Sequence, residues 1–144
     1  MIAIGCDHGG FKLMQDIIKY LDERQLPYKN FGTFSEESCD YPVIAEAVSR
    51  AVAAGEYDRG ILLCGTGIGM SIAANKVAGI RAALCRTEYE ARMARAHNDA
   101  NVLCMGERVT GLGLAASILT VFLEQAFEGG RHKVRVDKIM ALEK

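Results

Sequence analysis

The first place where this sequence could do chemistry is Cys64-Gly-Thr-Gly-Ile-Gly-Met70. A thiol stands there at the lip of a glycine-rich turn, with apolar residues of helical spacing just beyond. The amides of Gly65, Gly67, Ile68, Gly69 and Met70 can point at an anion, because the start of a helix leaves backbone N–H groups unpaired. A cysteine beside such a start is in the setting where thiols serve as nucleophiles or bases. Thr66 adds a hydroxyl between the glycines. Three familiar phosphate loops are excluded by residue type: a dinucleotide fingerprint needs glycine where Met70 stands, a phosphotyrosine-phosphatase loop needs arginine there, and a P-loop needs a lysine nearer than Lys76. The plain alternative is an inert, buried Cys64, with glycines that only let helix and strand approach closely.

Further clusters follow other apolar runs. Cys6-Asp-His-Gly-Gly10 couples a carboxylate and an imidazole to a helix start. Asp7 and His8 could move a proton or hold an anion there, or either could be an ordinary N-cap. His97, in Arg95-Ala-His-Asn-Asp99, could be an acid or base, or could simply complement the end of a helix. Asn98 stands beside it. Arg108 follows a late apolar run, and Arg131 and Arg135 are spaced so that both project from one face of a helix. Guanidinium groups so placed suit a phosphate, and a solvated basic face is the alternative for that pair.

The elements that must position these residues alternate in type. Apolar runs of four to six residues alternate with stretches of helical period: Met1 to Gly5, then Phe11 to Arg24; a weaker strand near Tyr28 to Phe31, then a helix after Tyr41-Pro42. Gly60 to Cys64 is a continuous apolar run, as expected of a strand covered on both faces, and a helix from about Met70 to Val77 follows. Arg81 to Cys85 is the fourth strand, and Thr87-Glu-Tyr-Glu90 reads as a capping box opening its helix. Asn101 to Met105 is the fifth strand. Helices over about Leu112 to Phe127 and Val134 to Leu142 end the chain. Repeated βα units of this kind imply an α/β fold, a three-layer doubly wound sandwich on a five-stranded parallel sheet with strand order 2-1-3-4-5 and a C-terminal helix. One domain over residues 1–144 is expected, with its site at the carboxyl ends of the strands.

Composition narrows the class. Half the residues are hydrophobic, 24% are charged and the net charge is −1, which is ordinary for a globular chain and offers no basic stripe for nucleic acid. No apolar run is long enough to span a bilayer, and the short apolar N-terminus lacks the basic segment of a signal peptide. Five cysteines without a CxxC pair read as reduced thiols of a cytoplasmic protein. No His/Cys/Asp cluster stands at ligand spacing, so neither metal nor other cofactor is expected.

Together these segments resemble the type B ribose-5-phosphate isomerases, a family that also contains galactose-6-phosphate and allose-6-phosphate isomerases. The resemblance is carried by Ile4 to Phe11, Asp40-Tyr-Pro42, Arg59 to Lys76, Gly79 to Ala82, His97 to Val102, Glu128 to His132 and Arg135-Val-Asp137, and it covers nearly the whole chain. It implies an aldose–ketose isomerase of the pentose phosphate pathway, acting on ribose 5-phosphate. In that role Cys64 would be the base, Thr66 would assist at the oxygens, and the Gly65 to Met70 amides would hold the enediolate. His97, with Asp7 nearby, would open the sugar ring; Asn98 would contact hydroxyls; His8, Arg108, Arg131 and Arg135 would hold the phosphate. The resemblance also implies a homodimer or homotetramer with sites shared between chains, the His97 and Arg108 regions facing the Cys64 loop of the partner. Allose 6-phosphate, galactose 6-phosphate and a non-catalytic phosphosugar sensor are the alternatives. Galactose-type relatives lack parts of the His97-Asn98-Asp99 and Gly130-Arg131-His132 features kept here, which favours ribose 5-phosphate.

Overall fold

The computed structural model describes residues 1–143. Strands β1 (Ile2–Cys6), β2 (Tyr28–Asn30), β3 (Arg59–Cys64), β4 (Ala82–Leu84) and β5 (Val102–Gly106) pair in parallel throughout. Helices α1 (Phe11–Glu23), α2 (Tyr41–Ala53), α3 (Ile68–Ala74), α4 (Glu88–Ala96) and α5 (Leu112–Glu124) follow them in turn, and α6 (Arg131–Met140) comes last.

Strand side chains alternate between the two faces of the sheet, and the core divides accordingly. Ile2, Ile4, Cys6, Ile61, Leu63, Leu103 and Met105 meet Leu13, Met14, Ile17 and Leu21 of α1, Ala91 and Ala94 of α4, and Ile118, Leu119 and Phe122 of α5. Ala3, Leu62, Cys64, Val102 and Cys104 face the other way, onto Ala45, Val48 and Val52 of α2 and Met70 and Ala74 of α3. Three helices on one face and two on the other is what right-handed crossovers require of this topology.

The strand order is β2-β1-β3-β5-β4, not the expected 2-1-3-4-5. Burial explains the exchange. Val102-Leu-Cys-Met-Gly106 is buried at every position and needs a neighbour on each side, whereas Ala82-Ala-Leu84 is short and only half-buried, as suits an edge. Helix limits also move: α3 starts two residues before Met70, α5 stops at Glu124, and α6 begins at Arg131 rather than Val134. At α4 the Thr87 hydroxyl accepts the Glu90 N–H at 3.0 Å, but the Glu90 carboxylate takes the N–H of Arg86 instead of closing the box on Thr87.

One contact ties the fold to the glycine turn. Cys64 on β3 is in register with Gly106 on β5, and a Cβ at Gly106 would fall 2.4 Å from the Thr66 carbonyl carbon. The turn after β3 lies directly on the end of β5. Because backbone atoms occupy that space, Gly106→Ala is expected to displace the turn and cost about 1–3 kcal/mol, as overpacking does. Chemical denaturation checks the cost; wild-type stability in the variant would mean that the turn is not held there.

Candidate functional site

Cys64 ends β3 with its side chain toward α3, at the floor of an open pocket of about 450 Å³ lined by Asp7, Tyr41, Gly65, Thr66, Ile68, Gly69, Ile72 and Arg108. Its sulfur accepts a hydrogen bond from the Gly67 N–H at 3.0 Å, which fixes the thiol against the turn. That bond depends on Gly67, whose φ of +80° lies in the left-handed region and whose missing side chain leaves room for Leu84 and the Met105 backbone. The Thr66 hydroxyl accepts the Ile68 N–H at 3.2 Å, so it stands at the start of α3. As the first turn of α3, Gly69 and Met70 present N–H groups that no helical carbonyl can reach. The Met70 side chain is buried in the core and takes no part in the pocket.

Arg108 belongs to the same pocket in the same chain. Its N–H donates to the Gly65 carbonyl at 3.0 Å and its guanidinium lies along Gly65, which corrects the expectation that it faces the loop of another chain. The next-door Glu107 is turned inward, where its carboxylate takes the free Leu13 N–H of α1 at 2.7 Å. Asp7 is buried and accepts the Gly9 N–H at 2.9 Å, so it does cap the turn before α1 while still lining the pocket. The Nδ1 of His8 accepts the Cys39 N–H at 3.2 Å, which leaves Nε2–H as the donor this ring can offer a ligand. Tyr41 opens α2. Its ring packs on Gly69 and forms one wall of the pocket, and no chemical motif in the sequence marks it as a site residue.

His97, Asn98, Arg131 and Arg135 are not brought to Cys64 within the chain. Helix α4 starts after the carboxyl end of β4 and runs back toward the beginning of β5, so His97 and Asn98 lie at the opposite edge of the sheet. A five-residue strand separates the two edges by roughly 16 Å. Helix α5 makes the same return, and the Glu128 N–H donates to the Ala96 carbonyl at 3.0 Å, which brings the start of α6 beside the end of α4. Buried Arg95 secures that corner by donating to Asp99 at 2.9 Å and to the Ala100 carbonyl at 2.6 Å, with Arg81 also bonded to the Asp99 carbonyl. Arg131 and Arg135 are exposed on α6. His97 stacks on His132, ring centroids 4.0 Å apart and planes 9° apart. Burial pushes the pKa of His132 below its usual value, helped by His97 and Arg131 and opposed by Glu128.

The other thiols differ in setting. Burial pushes Cys6 and Cys85 each up to about 12 and drives Cys104 higher still, while Thr33 and the neighbouring charges adjust Cys6 only secondarily. Of the buried cysteines, Cys64 is the one in the wall of the pocket.

A thiol, a hydroxyl, helix-start amides, a carboxylate and a guanidinium around one pocket, with His8 next to Asp7 in the chain, can hold a phosphorylated ligand and move a proton on it. Comparison with known proteins agrees. The family described as Ribose/Galactose Isomerase matches residues 2–139, and the chain belongs to it. It is an enzyme of the sugar-phosphate isomerase class. Among its relatives, ribose-5-phosphate isomerase B of Escherichia coli K12 is 54% identical over 142 residues, 99% of this chain and 95% of that one. The solved ribose-5-phosphate isomerase B of Clostridium thermocellum superposes with a TM-score of 0.97 at 54% identity, covering 99% of this chain and 96% of the other. The type B ribose 5-phosphate isomerase of Trypanosoma brucei gives 0.95 at 52% identity, covering 99% and 97%. Among the described residues no helix is long and apolar enough to cross a membrane.

The thiol settings predict selective alkylation. In folded protein, iodoacetamide is expected to label half-exposed Cys39 and pocket-lining Cys64 well before Cys6, Cys85 and Cys104, read by peptide mass mapping. Equal labelling of all five would contradict the burial described.

Proposed function

We propose that this chain interconverts ribose 5-phosphate and ribulose 5-phosphate in the cytoplasm, through its 144 residues acting as one domain and without metal or other cofactor in the reaction. The observation that carries the proposal is the Cys64 sulfur, pinned by Gly67 N–H at the floor of a pocket large enough for a pentose phosphate. The names of the relatives support the substrate.

In the open-chain aldose, the Cys64 thiolate removes the proton from C2. The electrons pass through the C1–C2 bond to the C1 oxygen and form a cis-enediolate. Donors at the glycine turn hold this charge in the manner of an oxyanion hole: the Gly69 and Met70 amides, which stay free because Gly67 and Ile68 spend theirs on the Cys64 sulfur and the Thr66 oxygen, and the Thr66 hydroxyl. The thiol then returns the proton to C1, and a hydroxyl proton passes from the C2 oxygen to the C1 oxygen. One C–H bond has broken, one has formed, and the ketose results. His97, with Asp7, opens the furanose ring beforehand as acid and base. Asn98 binds sugar hydroxyls, and His8, Arg108, Arg131 and Arg135 hold the phosphate.

This division of labour requires two copies of the chain, because His97, Asn98, Arg131 and Arg135 occupy the sheet edge remote from Cys64. A homodimer, or dimers paired into a tetramer, brings those residues over the pocket of the partner. The rim supports such a cover: Ile68, Ile72 and Tyr41 line the pocket yet are 51%, 59% and 38% exposed. An enediolate phosphate also needs a lid against water.

Replacing the base tests the proposal. Cys64→Ser is expected to lower kcat by roughly 10²–10⁴-fold while sugar phosphate still binds. Turnover of ribose 5-phosphate, allose 6-phosphate and galactose 6-phosphate is measured side by side in the wild type, with the ribose compound expected to be used best. Undiminished turnover in Cys64→Ser removes the base assignment, and a preferred hexose phosphate removes the substrate.

A further inference from the structure

The corner where α4, the 125–130 loop and α6 meet holds a group of side chains that proton transfer leaves unexplained. His132 is the first indication. Its side chain is 8% exposed, yet its Nε2 has no hydrogen-bond partner among the described residues. A buried polar nitrogen without a partner is costly, and such atoms often mark the place of an ion or a water. What faces it is chemically specific. A carboxylate oxygen of Glu128 stands 3.4 Å from His132 Nε2 and 3.8 Å from His97 Nε2, and one ligand atom from each of the three residues lies within 4.8 Å of the others.

We propose that His97, Glu128 and His132 form a binding site for a divalent transition-metal ion of the zinc class. Two imidazole nitrogens and one carboxylate oxygen are a ligand set that such ions accept, with a fourth position left for water or a ligand oxygen. With metal–ligand bonds near 2.0–2.1 Å and tetrahedral angles, neighbouring ligand atoms lie about 3.4 Å apart. The two distances to Glu128 are already close to that value. Because the stacked rings are nearly parallel, their nitrogens do not yet converge on one point. His97, with its side chain 37% exposed, is the ring with room to turn.

The surroundings also specify which ion. Arg131 and Arg135 lie on the same helix as His132 and oppose any cation by charge alone. An ion held mainly by charge and oxygen atoms, such as Mg²⁺, is therefore disfavoured, whereas imidazole donors retain Zn²⁺, Ni²⁺ or Cu²⁺. The consequence deepens the function proposed above and, in this respect alone, rests on it: an ion on His97 Nε2 removes that ring from acid–base work, so zinc would inhibit the use of cyclic sugar phosphate.

Binding, rather than turnover, tests the site, so failure of the catalytic assignment would not be mistaken for failure of this one. Titration calorimetry with Zn²⁺ is performed on full-length protein carrying Cys39→Ser and Cys64→Ser, so that the accessible thiols cannot supply the ion. One Zn²⁺ per chain is expected, with Mg²⁺ giving no signal. Adding Glu128→Gln or His132→Gln is expected to weaken Zn²⁺ binding more than about tenfold, the loss that follows removal of a ligand or its support. The Glu128 side chain is 50% exposed, so Glu128→Gln keeps the fold even if His132→Gln does not. Absence of Zn²⁺ binding, equal binding in Glu128→Gln, or equal binding of Mg²⁺ would each overturn the proposal.

Discussion

Every feature of this molecule that bears on function follows from the direction of its strands. Because all pairings are parallel, each strand delivers its last residue to one edge of the sheet, and each helix must carry the chain back to the other. Residues that follow a strand therefore gather at one edge: Asp7 after β1, the Cys64 turn after β3, Arg108 after β5. Residues that end a helix gather at the far one, as His97 and Asn98 do after α4. The groups that could complete the site are thus divided by the length of the strands.

The Cys64 edge owes its shape to backbone meeting backbone. Gly106 lets the turn rest on the end of β5, and the left-handed Gly67 turns its N–H onto the sulfur. The thiol is therefore positioned by main-chain atoms whose places are set by the central strands β3 and β5. That arrangement is stiffer than one built from side chains, since the sheet core on both faces must shift before the sulfur can.

Much of this could be read in the sequence, and the failures have identifiable causes. The continuous run Gly60 to Cys64 and the helical spacing after it located β3, the turn and α3, because a doubly covered strand and a buried helix face leave distinct patterns. The order of β4 and β5 departs from the expected one, and the reason is visible in the residues: Val102 to Met105 is unbrokenly apolar, while the fourth strand is short and begins at Arg81. The pattern of alternation tells which element follows which, but neighbours in a sheet are chosen by how much surface each must bury. His97 closes a helix, and a residue closing a helix in such a fold belongs to the other edge; the α6 arginines reach that edge because α5 returns the chain there first. Tyr41 and the His97–Glu128–His132 corner were beyond reach, since each depends on segments far apart in sequence meeting through tertiary packing.

In the proposed enzyme one working site draws on two chains, the thiol from one and the ring-opening imidazole from the other. Mixing two inactive proteins, Cys64→Ala and His97→Ala, under conditions where subunit exchange is verified by mass spectrometry, tests it most directly. A hybrid dimer places an intact Cys64 turn against an intact His97 at one of its two sites, so the mixture is expected to recover part of the wild-type turnover of ribose 5-phosphate. No recovery despite proven exchange would contradict the two-chain site and require that a single chain bring both groups together.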